Sequence, residues 1–403
     1  MTLDYFSLST KDINFLRFYN RYLSMLLVNS WYDLHKQSFY KSSMATLYGC
    51  CVIVFKLTWI TYLIITSKDF KIIQNLLPSQ IVTLVPIIFI PHALTLLTMT
   101  KSTFIDSKQW QLLYKNFQLL DTRLQNTGKK EFKFWKNFYF GCVIKHVIFV
   151  LFLAFAAYIW TIVFNMSLVR VIFSIPVIDL YYEFVLLHVI QTLMKVFKSR
   201  HTDINQKLIY FSTKDNCTEK LKSLGSDYRI LCESTKVFNQ IFGYQFVLII
   251  LHCGVSLVTI LNNCYVIVFS SDGRSPGFHA IVNNGSLLIY TMVKLLKCFR
   301  LFLLCFFQYV FLGVVFSVES TMQESRNFID LCYKIQEYFP EESKQVEVLG
   351  RLAIHAEHFW EKFSANGLFD INKGIIFSFL GTVMTYLIII MQFNSANLIQ
   401  SNI

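Results

Sequence analysis

Seven stretches of this 403-residue chain are apolar for long enough to cross a lipid bilayer, and no other feature restricts its fold so severely. They lie at 43–65, 78–100, 139–164, 170–195, 242–270, 280–319 and 373–394. A bilayer's hydrocarbon core takes roughly 20 helical residues to span. Inside it each backbone N–H and C=O must be bonded within its own segment, so runs of this length read as helices. The sixth run is too long for one straight crossing, and Lys294, Lys297 and Arg300 interrupt it. It reads as one helix whose outer part lies within protein; two separate helices are the alternative.

Charge placement orients the spans. With the amino terminus inside, the inner segments 1–42, 101–138, 196–241 and 320–373 carry 27 Lys and Arg, against four in the outer loops. Basic residues favour the cytoplasmic side of a membrane. The expected fold is therefore an all-α membrane protein of seven transmembrane helices, N-terminus cytoplasmic and C-terminus extracellular. The net charge of +12 is membrane topology on this reading, not a nucleic-acid footprint. Residues 1–20 lack the compact apolar core and cleavage site of a secretory signal. The orientation opposes that of G-protein-coupled receptors, and no NPxxY-like or DRY-like stretch occurs. Nor do paired broken helices suggest a secondary transporter.

The ten cysteines form no CxxC pair and no Cys/His spacing for a metal, and read as packing thiols. No nucleophile, paired catalytic carboxylates or cofactor motif supports an enzyme, and no cofactor is expected.

Two inner segments have helical periodicity. In 101–138, Trp110, Leu113, Phe117 and Leu120 share a face; before the last span, Leu349, Leu352, Ala356, Phe359 and Phe363 form a second stripe. Such a stripe outside lipid needs a partner helix, within the subunit or in another one. From Glu319 to Asp370 ten acids face five bases, a local charge of −5 in a basic protein. This is either a solvated face or an acidic vestibule that concentrates cations.

In the last span Ser378, Thr382, Thr385, Ile389 and Gln392 fall within about 40° of one direction at 100° per residue. A polar stripe on a membrane helix either glues helices together or lines water. Tyr386 lies about 80–100° off it, where it would brace the helix against its own subunit.

The stretch "GLFDINKGIIFSFLGTVMTYLIIIMQF" resembles the signature of the insect gustatory receptor family. That family's last span ends in Thr-Tyr, five mostly apolar residues and Gln-Phe, here Thr385, Tyr386, Gln392 and Phe393. The preceding Gly367, Leu368, Phe369 and Asp370 fit as well. The resemblance covers only about 30 residues. It implies a ligand-gated, non-selective cation channel: a tetramer of identical or related subunits in the plasma membrane of chemosensory neurons. The last span would surround a central pore, a cytoplasmic helical anchor would join the subunits, and a small-molecule tastant would bind in the outer half of spans 1–6. The implied organisation is a cytoplasmic segment 1–42, a ligand-binding bundle 43–319 with helical extensions at 101–138 and 196–241, an anchor region 320–372, and a pore helix with a short extracellular tail at 373–403. Pore and gate residues would be Ser378, Thr382, Thr385, Ile389, Gln392 and Phe393.

Asp179 and Glu183 stand four apart on one face of the fourth span, and Lys294 and Lys297 three apart in the sixth. Either these groups pair between helices or they form a polar ligand wall, with Tyr158, Trp160, Tyr181, Tyr182, Tyr265 and Tyr290 as stacking surfaces. His92 and His252, mid-span, read as hydrogen-bonded core histidines. Sugar receptors of the family tend to carry an acid just after the motif tyrosine. Leu387 stands there, which points to bitter or aversive compounds, with an atypical sugar or internal nutrient sensor as the other reading. An odorant-receptor-type subunit and a non-channel transporter are the competing readings.

Overall fold

The computed structural model describes residues 20–29, 32–33, 38–39, 43–66, 78–124, 177–213, 218–269 and 287–400, and parts of 143–161. For 32–33, 38–39, 63–66, 78–84, 177, 262–269, 287–307 and 393–400 it describes the backbone alone. A two-residue antiparallel pair, β1 (Tyr32–Asp33) with β2 (Ser38–Phe39), precedes the helices. These are α1 (Ser43–Thr66), α2 (Pro78–Thr100), α3 (Ser107–Leu124), α4 (Val143–Phe155), α5 (Val177–Ser212), α6 (Thr218–Phe269), α7 (Leu287–Gln336), α8 (Lys344–Phe359) and α9 (Gly374–Gln400). Each of the seven apolar runs overlaps one of them in its described residues, and the described part of the sixth run, from Leu287, lies in a single continuous helix, α7.

Helices α5, α6 and α7 have 36, 52 and 50 residues. At 1.5 Å per residue they reach roughly 54, 78 and 75 Å, well beyond a hydrocarbon core of about 30 Å. Their far halves therefore build a second, water-side bundle, completed by α3 and α8. There α5 packs on α7, α3 on α6, and α8 in the angle between α6 and α7. The α3 stripe is buried as its spacing predicts, with Trp110 stacked on Tyr114 and edge-on to Phe242 at 5.5 Å. The α8 stripe (Leu349, Leu352, Ala353, Ala356) finds its partner within the same chain. At Gly225 on α6 a Cβ would sit 2.5 Å from Leu352 Cδ1, so a larger residue there would push the Leu352 tip aside.

A π-helical turn, Lys101–Ile105, forms the foot of α2. Its buried Lys101 donates from Nζ to the carbonyls of Gln240 (2.7 Å) and Ile241 (3.0 Å) on α6. Asp106 follows, 3.7 Å from Lys101 Nζ. Burial raises its carboxyl to about 6, against the opposing pull of Lys101.

Phe363 does not lie on the α8 helix, as its spacing suggested. α8 ends at Phe359, and Phe363 reaches the core from a hairpin, edge-on to Phe197 (5.4 Å) and Phe238 (5.3 Å). The cause is a side chain on another helix. Asn239 of α6 donates to Lys362 O (2.7 Å) and accepts from Ser364 N (3.0 Å), replacing the bonds that a longer helix would make. The hairpin closes through Leu368 N to Ala365 O (3.0 Å), with φ of 54° at Asn366 and 73° at Gly367. An Asn-Gly pair with two positive φ values is the favoured two-residue hairpin turn.

Candidate functional site

α9 has two faces. One, with Phe379, Val383 and Ile390, packs on Val258 and its neighbours Leu257 and Leu261 of α6. Gly254 lets the helices approach, since a Cβ there would meet Phe379 Cε2 at 3.3 Å. The polar stripe is centred about 120° away at 100° per residue, and Ser378, Thr382, Thr385, Ile389 and Gln392 on it are all exposed. The hydroxyls of Thr382 and Thr385 donate back to Ser378 O (2.9 Å) and Gly381 O (3.0 Å). Their donors are thus satisfied within the helix while oxygen lone pairs face outward. Tyr386 stands at the edge between the two faces, 57% exposed, and with Ser378 and Thr382 of the stripe it lines a groove of about 820 Å³ between α6 and α9. The Phe393 side chain is outside the described residues.

The fourth-span carboxylates are buried and partnered. Lys56 of α1 donates to Asp179 at 2.7 Å, and His92 Nδ1 of α2 lies 2.6 Å from Asp179 Oδ2. Glu183 is fully buried and meets His252 Nδ1 of α6 at 3.0 Å from Oε1 and 2.8 Å from Oε2. Two histidines expected to be bonded in the core are there, each against a carboxylate. Lys56 is a partner that spacing did not reveal, although a lone lysine inside an apolar run demands a buried anion. The hydroxyl of Tyr182, also buried, donates to Leu27 O at 3.1 Å.

Residues 20–29, part of the segment expected to be cytoplasmic, dock against the bundle. Tyr22 and Tyr181 share a hydroxyl contact, His146 Nδ1 of α4 lies 3.2 Å from Tyr181, and Tyr48 donates to Met25 O at 2.9 Å. Ser24 and Asn29 close this segment's polar groups among themselves, Ser24 Oγ donating to Asn29 Oδ1 at 2.8 Å and Asn29 Nδ2 to Asn20 Oδ1 at 2.6 Å. Of the other proposed ligand residues, Tyr158 is exposed. Trp160 and the side chains of Tyr265, Tyr290 and Lys294 lie outside the described residues.

A bundle of long apolar helices whose buried charges are matched helix to helix defines an all-α, multi-pass membrane protein. The chain belongs to the 7tm chemosensory receptor family, whose description matches residues 16–397. This is a receptor family and not an enzyme family. The fold is also that of the insect olfactory receptor OR5 from Machilis hrabei, with a TM-score of 0.56 at 13% identity over 94% of this chain and 99% of that one. The same receptor in complex with eugenol gives 0.52 at 12% identity, with the same coverage. No curated protein matches the sequence.

Proposed function

We propose that this chain is the subunit of a tetrameric, ligand-gated, non-selective cation channel that serves taste, opened by a small bitter or aversive compound. The observation that carries the channel reading is the exposed polar stripe on α9, opposite the face packed on α6. A single chain leaves it open, and a membrane helix with such a face needs other helices or water beside it. Four copies around an axis turn Ser378, Thr382 and Thr385 into a hydrophilic wall for hydrated cations. Ile389 forms the one apolar ring, which closes by dewetting, and Gln392 a ring of amides one turn outward. Tyr386, off the stripe, braces the helix against its own subunit.

This reading places the amino terminus inside and the carboxyl terminus outside, in the plasma membrane of chemosensory neurons. The water-side bundle of α3, α8 and the far halves of α5–α7 is the anchor that joins the subunits. The Thr385-Tyr386 and Gln392-Phe393 pairs support taste. Likeness to an olfactory receptor supports the second reading, an odorant-type subunit.

Whole-cell recording with a panel of alkaloids, sugars and volatile aromatics tests both. A reversible cation current, altered by Ile389→Ala and by Gln392→Ala, is expected. Currents unchanged by either substitution at normal surface expression would remove α9 from the gate. Responses confined to the volatiles would favour the odorant reading.

A further inference from the structure

The hairpin at 362–371 hands the chain from the water-side bundle to α9, and α6 grips it at two points one helical turn apart. Asn239, with 9% of its surface exposed, holds both Lys362 O and Ser364 N. At Gly243 the hairpin turn lies so close that a Cβ would stand 2.6 Å from Asn366 N and 2.9 Å from its Cα. Within the hairpin, Ile371 N donates to Phe363 O (2.8 Å) and Ala365 N to Phe369 O (2.9 Å), and Lys362 pairs with Asp370 at 2.7 Å. Ten residues after Ser364, α9 begins at Gly374, where Ile375 N already donates to Asn372 O. The path from Asn239 to the first turn of α9 is therefore bonded throughout. Higher on α6, His252 holds Glu183 of α5, and Gly254, two residues on, faces Phe379 of α9. One rigid helix thus meets the buried polar face of the bundle and both the start and the middle of α9.

We propose that Asn239 is a positioning residue for gating: through its amide, α6 carries the hairpin and the root of α9 as one body, so that a shift of α6 moves the pore helix. The proposal rests on the reading of α9 as the pore helix. An amide suits this task because it donates to one backbone group and accepts from another at once. Apolar contact alone would let the hairpin slide.

The test uses the full-length receptor in two measurements. Hydrogen exchange in detergent reads the mechanical link. Asn239→Ala should speed exchange at Ser364, Ile371 and the first turn of α9 by about tenfold or more, the loss expected for a bond of about 1.4 kcal/mol. Asn239→Asp, which keeps the acceptor for Ser364 N, should restore protection at Ser364 alone. Gly243→Ala should loosen the same hairpin with Asn239 intact, a second variant if the first folds poorly. Spontaneous single-channel openings in planar bilayers read the consequence. Asn239→Ala and Gly243→Ala should lower open probability about fivefold or more and leave unitary conductance unchanged, because the pore lining is untouched. Unchanged exchange at 371–379 overturns the proposal whatever the currents do. Faster exchange with unaltered open probability overturns the coupling and leaves the channel reading standing. A folded wild type that passes no current overturns the channel reading, and the gating role falls with it.

Discussion

The Glu183–His252 pair is the sharpest place to test how this bundle tolerates charge. Both side chains are almost wholly buried, and the imidazole Nδ1 lies within 3.0 Å of each carboxylate oxygen. Replacing His252 by Leu leaves Glu183 facing hydrocarbon, where an uncompensated buried charge costs about 3–5 kcal/mol. Replacing Glu183 by Leu is milder, because it removes the carboxylate itself and costs the imidazole a hydrogen-bond partner, about 1–3 kcal/mol. The double Leu variant has neither group to desolvate, and replacement of a whole buried pair by apolar side chains is often neutral. The expected order of stability is wild type and double variant together, then Glu183→Leu, then His252→Leu. The interaction energy in the double-mutant cycle should be at least about 3 kcal/mol. Denaturant unfolding in detergent, followed by tryptophan fluorescence, measures it. Singles of equal and small effect that add in the double variant would refute the reasoning, since the pair would then not be a mutually dependent unit.

Three further substitutions probe the water-side bundle by the same unfolding assay. Phe363→Ala empties a fully enclosed site between Phe197 and Phe238 and should cost about 3–5 kcal/mol. Gly367→Val forces a branched side chain onto a φ of 73°; a loss of about 1–2 kcal/mol is expected, with faster proteolysis at the hairpin. Asp106 has its folded pKa raised by burial to about 6 from 3.8, so between those values the folded chain holds more protons than the unfolded one. Stability therefore falls as pH rises through that window. Asp106→Asn removes the slope, and should gain on the wild type by about 2 kcal/mol between pH 4 and pH 7. A gain that does not depend on pH would contradict it.

The spans, their helical character and the α3 and α8 stripes were legible in the sequence, because lipid leaves the backbone no other option and a helix repeats its apolar face every three or four residues. The polar stripe on α9 was legible for the same reason: Ser378 to Gln392 are neighbours on one helix, and 100° per residue settles their phase. The Asn366-Gly367 turn was also written in the chain, as a dipeptide that favours positive φ, but a helical stripe running on to Phe363 concealed it. Partners were not legible. Nothing local tells Asp179 that it will meet Lys56 and His92, 123 and 87 positions away, or Asn239 that it will end α8 by taking Lys362 O and Ser364 N. Period and hydropathy are properties of a segment, whereas the choice of partner depends on which long helices the packed bundle brings side by side. The sequence by itself determined which faces are apolar and which polar. Only the tertiary structure decided that α6 carries the buried pair on one side and the root of α9 on the other, because that junction is made by side chains far apart in the chain.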